Sequence, residues 1–207
     1  MGLVVSGGHT DLILLESLKK WTWIGGTRDD AAGEAFDKAA RILGLPYPGG
    51  PEIEKAAGKI TDDYFEKNKN RYKLPRPLIH DPGLEMSFSG IKAAMARLVE
   101  KEVEMDEMTR NLVAREFAEA MTEVLTKKTL MAMERYHPKS VILAGGVAAN
   151  KRLRESLRRE VEMAGIKFFV PELRYCGDNA VMVGAAAVLR PEETGLDLRP
   201  EPSLSIV

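Results

Sequence analysis

The residues best suited to chemistry fall in four short clusters. Ser6-Gly7-Gly8-His9-Thr10 sets two residues without side chains among hydroxyl and imidazole groups. Backbone N–H groups at such a turn can approach a phosphate closely, and Ser6 and Thr10 add hydroxyl donors. The same residues also spell a plain two-residue hairpin loop. Gly145-Gly146-Val147-Ala148-Ala149-Asn150 repeats the theme after the apolar run Val141 to Ala144. It lies where a strand gives way to a helix, the place at which open α/β sheets bind nucleotides. Asn150 offers both a donor and an acceptor to a base or a hydroxyl, and the alternative is a tight turn with no ligand.

Glu34 and Asp37 stand three residues apart and share one face of a helix, so two carboxylates can address one ligand or ribose. The competing reading is a solvated acidic face paired with Lys38 and Arg41. In Cys176-Gly177-Asp178-Asn179, the Asp178 carboxylate follows a strand and suits either a metal ion or the cap of the next helix. Cys176 has no histidine near it in sequence and reads as a small buried hydrophobe rather than a nucleophile. Two basic clusters remain: Lys67, Lys69, Arg71, Lys73 and Arg76 around Tyr72, and Lys151, Arg152, Arg154, Arg158 and Arg159 along one helix. Each is a solvated surface or, for the loop with its aromatic, a contact for a phosphate backbone.

These clusters need elements to hold them. Residues 2–6, 11–16 and 21–24 read as strands, with Gly25-Gly26 ending the third. Asp29 or Asp30 is expected to cap a helix from Ala31 to Leu43, stopped by Gly44. Tyr47-Pro48-Gly49-Gly50-Pro51 reads as a rigid turn before a helix from Glu52, and 68–83 as a loop rich in proline. Ser87 or Ser89 is expected to cap a helix through Leu98, and a long helix runs from Asp106 to Tyr136 before His137-Pro138. Strand 139–144, a helix near 148–163, strand 167–170 and a helix from about Asp178 to Leu189 follow. This βαβα order predicts parallel strands covered by helices.

The bulk numbers set bounds. With 207 residues, 44% of them hydrophobic, the chain can bury a full core. A net charge of −1 argues against a generally basic nucleic-acid coat, so any such contact must be a local patch. One cysteine allows no internal disulfide and fits a reducing cytoplasm. No apolar run approaches the ~18 residues of a membrane span, and no signal-peptide pattern opens the chain.

Taken together the motifs resemble one family. Ser6 to Thr10, Asp29-Asp30-Ala31-Ala32-Gly33-Glu34-Ala35-Phe36-Asp37, Tyr47 to Pro51, Ser87-Phe88-Ser89-Gly90-Ile91-Lys92, Gly145 to Asn150 and Asp178-Asn179 occur in the order and spacing of the TsaD family. These are tRNA threonylcarbamoyladenosine transferases, once described as glycoproteases. The resemblance implies an α/β fold of the actin/Hsp70/sugar-kinase type over 1–190, with a helical insertion at about 51–136 and a tail at 191–207. It implies transfer of a threonylcarbamoyl group from threonylcarbamoyl-adenylate to the N6 amine of the adenosine beside the tRNA anticodon. By that match Val4, Val5, Ser6, Gly7, Gly8, Asp37, Gly50 and Asn150 hold the nucleotide (the adenylate, or ATP or ADP), with Glu34 nearby. Asp178 is the implied ligand of one iron or zinc ion. No residue is singled out as catalytic. tRNA and TsaB-like and TsaE-like subunits are the implied partners, with no membrane.

The family also carries an earlier phosphate-binding strand and turn and a His-x-x-x-His pair. The histidines here are His9, His80 and His137, none with that spacing. The expectation is therefore a second lobe with most of the first missing, inactive alone. A non-catalytic nucleotide-binding or scaffold subunit and a sugar-kinase or ATPase relative are the other readings. A scaffold need not keep the ligand motifs, and a kinase need not keep Ser87 to Lys92. A peptidase fits worst, for there is no nucleophile–base pair and no His-Glu-x-x-His helix.

Overall fold

The structure, a computed structural model, describes residues 1–102 and 105–191. Three strands form an antiparallel meander: β1 (Gly2–Val5), β2 (Thr10–Ser17) and β3 (Lys20–Gly26). β4 (Ser140–Ala144) lies parallel to β1, and β5 (Lys167–Phe169) parallel to β4. The order β3-β2-β1-β4-β5 gives an α/β domain around a mixed five-stranded sheet. The expected parallel pairing at the C-terminal end is present.

Strand side chains alternate between faces, and the sequence uses that period. Leu3, Val5, Leu12, Val141, Leu143 and Phe168 belong to one buried core. Ile142 and Phe169 point to the other face and remain 40% and 53% exposed. The core is completed by α1 (Ala32–Ile42), the 30-residue α5 (Glu107–Tyr136) and α6 (Lys151–Met163). Phe36 of α1 meets Phe117 of α5 edge to face at 5.3 Å, an arrangement the ring quadrupoles favour. Between α1 and α5 run α2 (Gly49–Ala57), α3 (Asp62–Asn68) and α4 (Ser89–Lys101). The last described helix, α7 (Ala180–Leu189), is almost wholly apolar, yet every residue in it is exposed, Val188 by 81%. Among the described residues no helix is long and apolar enough to cross a membrane. The tail expected at 191–207 lies outside the described residues beyond Pro191.

Helix starts depart from the sequence reading in four places. Neither Asp29 nor Asp30 caps α1; its first N–H groups are taken by the Thr10 hydroxyl (from Ala32, 2.8 Å) and the Ser6 carbonyl (from Gly33, 3.0 Å). Asp29 instead caps α4, accepting the N–H of Phe88 at 2.8 Å and of Ser89 at 3.2 Å. The hydroxyls of Ser87 and Ser89, expected to cap that helix, donate to Asp29 at 2.6 Å each. α7 is capped by Asn179, which accepts the Met182 N–H at 2.9 Å, and not by Asp178. Finally α2 opens at Gly49 rather than Glu52, because the first N–H groups of a helix need no intrahelical acceptor and Pro51 fits there. The separate helix α3, whose cap Thr61 accepts the Tyr64 N–H at 3.3 Å, was not marked by any break in the sequence pattern.

Candidate functional site

The parallel pairing of β1 with β4 aligns Val4 with Ala144, so the two glycine turns leave the sheet side by side. Close packing requires one glycine of the second turn. Gly145 has φ +94°, and a Cβ there would press on the Val5 carbonyl. Gly33 is required in the same way, since its Cβ would stand 2.6 Å from the Ser6 oxygen. Helix α1 thus sits directly on the first turn and brings Asp37 to it.

Asp37 Oδ1 accepts the N–H of Gly49 at 2.8 Å, joining α1 to the start of α2. Glu54, on α2, accepts the N–H of Lys151 at 2.8 Å, which joins α2 to the start of α6. Asn150 caps α6 by accepting the Leu153 N–H at 2.9 Å, and its Nδ2 donates to no group among the described residues. The outcome is one cavity of about 450 Å³ lined by Gly7, Asp37, Gly50, Gly146, Asn150 and Asp178. Glu54 and Gly177 line it as well. Glu54 escaped the sequence reading because its partner is 97 residues away, and only the fold brings the two together.

The other expected site residues stand elsewhere. Val5 is fully buried and Val4 half-buried, so β1 presents backbone rather than side chain. Ser6 Oγ accepts the N–H groups of Gly8 (3.3 Å) and His9 (3.0 Å), which closes the turn on itself and occupies the Gly8 donor. The Thr10 hydroxyl is buried against α1 and is not a ligand donor. Glu34 lies beside a neighbouring cavity of about 330 Å³ that shares Asp37 and Tyr47. It pairs there with Lys38, whose ammonium is held well above its ordinary pKa by its hydrogen bonds to Asp30 and Glu34. Burial pushes Asp30 up, but Lys38 and Lys92 outweigh it and keep the carboxylate ionised.

The metal expectation rests on Asp178 alone. Among the described residues no three His, Cys, Asp or Glu side chains gather closely enough to hold an ion. One carboxylate is a poor site for iron or zinc, which take about four protein or solvent ligands. The described residues do not by themselves make a metal centre.

The two basic clusters differ in how far they are paired. Tyr72 is buried in the core and offers no stacking face; Arg76 binds Glu116 and Glu123 and Lys69 pairs with Glu66, while Lys67, Arg71 and Lys73 stay exposed. On α6, Arg152 pairs with Glu119 and Arg158 with Glu162, while Arg154 turns inward onto backbone. Cys176 is buried, as expected.

The assembled arrangement is a backbone-lined cavity at the carboxyl ends of two adjacent parallel strands, the position at which α/β sheets take nucleotides. Comparison with known proteins points the same way. Residues 1–185 match the family model "TsaD: tRNA N6-adenosine threonylcarbamoyltransferase". A relative from Moorella thermoacetica, named tRNA N6-adenosine threonylcarbamoyltransferase, is 46% identical over 210 residues, covering 100% of this chain and 59% of its own. Relatives of the same name from Persephonella marina (45% identical; 94% of this chain, 54% of its own) and Enterococcus faecalis (40%; 100% and 59%) agree. The chain thus spans between half and three fifths of the curated relatives it matches. With the match running through both glycine turns and the cavity they frame, this chain belongs to the TsaD family.

Proposed function

We propose that this chain is the nucleotide-holding lobe of a tRNA N6-adenosine threonylcarbamoyltransferase, built on the actin/Hsp70/sugar-kinase plan. The observation that carries the reading is where glycine stands without a packing reason. Gly7, Gly50 and Gly146 line the cavity, yet a Cβ added at any of them meets no heavy atom within 4 Å. Nothing in the fold asks for glycine there, whereas a phosphate or ribose lying against the backbone does.

In this reading the chain holds threonylcarbamoyl-adenylate, or ATP or ADP in its place. The Val4 to Gly8 strand and turn presents the Gly7 backbone, and with it that of Gly146, to the phosphate, while Asp37 and Asn150 address hydroxyl and base. Glu34 stands at the rim. Transfer forms a bond from the adenosine N6 to the carbamoyl carbon, breaks the bond to the adenylate phosphate oxygen, and releases AMP and the N6 proton. The contribution of this chain is to fix the adenylate in a reactive pose. Asp178 is the residue offered to an iron or zinc ion, and its remaining donors must come from polypeptide that the relatives carry. The bare apolar surface of α7, Ile142 and Phe169 fits a lobe that packs against such polypeptide. tRNA and TsaB-like and TsaE-like subunits are the partners, in the cytoplasm.

The lone Asp178 donor among the described residues favours one second reading, a nucleotide-binding scaffold. Titration with ADP and an assay of tRNA threonylcarbamoylation separate them. The chain alone is expected to bind ADP and to modify no tRNA, and Asn150→Ala to weaken ADP binding. In the full-length relative from Moorella thermoacetica, the substitutions equivalent to Asn150→Ala and Asp178→Ala are expected to abolish transfer. Unaltered transfer in both leaves the scaffold reading. A modification rate for this chain equal to that of the full-length enzyme overturns the lobe reading.

A further inference from the structure

Three walls of the cavity are joined by hydrogen bonds between elements. Gly33 donates to Ser6 (3.0 Å), Gly49 to Asp37 (2.8 Å) and Lys151 to Glu54 (2.8 Å). The fourth wall, Gly177-Asp178, belongs to the segment from Pro171 to Asn179 between β5 and α7. Most hydrogen bonds in this segment are local: Tyr175 to Glu172 (2.9 Å), Cys176 to Leu173 (3.1 Å), and Asn179 to Tyr175 (3.3 Å) and Gly177 (2.9 Å). Among the described residues, one side chain from outside reaches it by hydrogen bonds, that of Arg154 on α6.

Arg154 Nη2 donates to the Pro171 carbonyl at 2.7 Å and to Cys176 Sγ at 2.9 Å. Its Nε donates to the carbonyl of Ala148, inside the turn that carries Gly146 and leads to Asn150. A single planar guanidinium therefore spans two cavity walls that are otherwise joined only by packing. Its geometry matters: five N–H donors spread over three nitrogens of one plane reach acceptors on different sides, whereas the three donors of an ammonium radiate from a single nitrogen.

We propose that Arg154 is a positioning residue, fixing Gly177-Asp178 against Gly146–Asn150 and so setting the affinity of the cavity for its ligand. The affinity part rests on the nucleotide reading above; the tether does not. Without the guanidinium, the Pro171–Asn179 segment keeps, among the described residues, its local hydrogen bonds and the packing of Cys176 and its partly buried neighbours but no side-chain hydrogen bond to the opposite wall, and the fourth wall drifts.

The chain has a single cysteine, so the tether has its own reporter. The whole chain and its variants Arg154→Met and Arg154→Lys are compared for the rate of Cys176 reaction with a thiol-specific disulfide reagent, for ADP affinity by calorimetry, and for Tm. Arg159→Met, on the exposed face of the same helix, is the control. Arg154→Met is expected to expose the thiol, raising its reaction rate at least about tenfold, and to weaken ADP binding by about tenfold, ~1.4 kcal/mol. Arg154→Lys, which keeps one contact, is expected to fall between, and the control to match the wild type. Unchanged thiol reactivity in both Arg154 variants overturns the tether, as does an equal rise in the control. A reactive thiol with unchanged ADP affinity overturns the positioning role. If the wild-type chain binds no ADP, the nucleotide reading fails, and the thiol arm alone decides the tether. Should Arg154→Met not fold, Arg154→Lys carries both measurements.

Discussion

Asp37 Oδ1 lies 2.8 Å from the backbone nitrogen of Gly49 and accepts its N–H, so one carboxylate both starts helix α2 and faces the cavity. A second oxygen remains for a ligand hydroxyl. Structure and binding are tied to the same side chain, and isosteric substitution separates them.

Asp37→Asn keeps an oxygen for Gly49 and is expected to leave Tm nearly unchanged. Asp37→Ala removes it, at a cost of about 1 kcal/mol, the usual worth of a helix cap. Both variants lose the charged acceptor and are expected to bind ADP more weakly. Urea unfolding beside ADP titration checks the pair; equal ADP affinity in all three proteins removes Asp37 from the site.

Gly145 and Gly146 are adjacent but answer to different demands. A methyl group at 145 meets the Val5 backbone at φ +94°, whereas one at 146 meets nothing within 4 Å. Gly145→Ala is therefore expected to destabilise the fold by about 2 kcal/mol or more, the scale of backbone strain plus a clash. Gly146→Ala is expected to unfold like the wild type and to bind ADP poorly. Denaturant midpoints and calorimetry test the contrast.

Acid should loosen α4. Burial pushes the Asp29 carboxyl up, but hydrogen bonds from the Ser87 and Ser89 hydroxyls and the Phe88 and Ser89 N–H groups prevail, leaving its pKa below the ordinary 3.8. A group depressed in the folded state stabilises above its unfolded pKa, and that stability is lost as pH falls through the folded value. The expectation is a decline in stability below about pH 4, shallower in Asp29→Asn than in the wild type. Urea midpoints measured between pH 2 and 7 decide it.

Glu116 is 2% exposed and accepts hydrogen bonds from the Leu74 N–H (2.9 Å) and the Arg76 guanidinium. Glu116→Ala strands the buried Leu74 N–H and takes from Arg76 its buried carboxylate, leaving it Glu123, and is expected to cost about 3 kcal/mol, as broken buried pairs do. Glu123→Ala, at the exposed side of the same arginine, is expected to cost under about 1 kcal/mol. Equal losses in the two variants contradict the assignment of Glu116 as the buried anchor.

The sequence by itself determined the elements whose signals are local. Short apolar runs located β1 and β2, the long helical period located α5, and Asp106 marked its start by capping Thr109 at 2.7 Å. Both glycine turns and the family motifs were legible because each is written in consecutive residues. Tertiary structure alone decided what meets across distance. It gave Asp29 to α4, 59 residues away, and seated α1 on Thr10 and Ser6. It paired Arg76 with Glu116 and Glu123 and Arg152 with Glu119, and turned Arg154 from a surface charge into a link between cavity walls. The physical reason is that period and turn chemistry act within a few residues. A cap, an ion pair or a shared cavity depends on which strands become neighbours, and here β1 and β4 are adjacent although over 130 residues lie between them. That one pairing brings Gly7 and Gly146 to the same cavity.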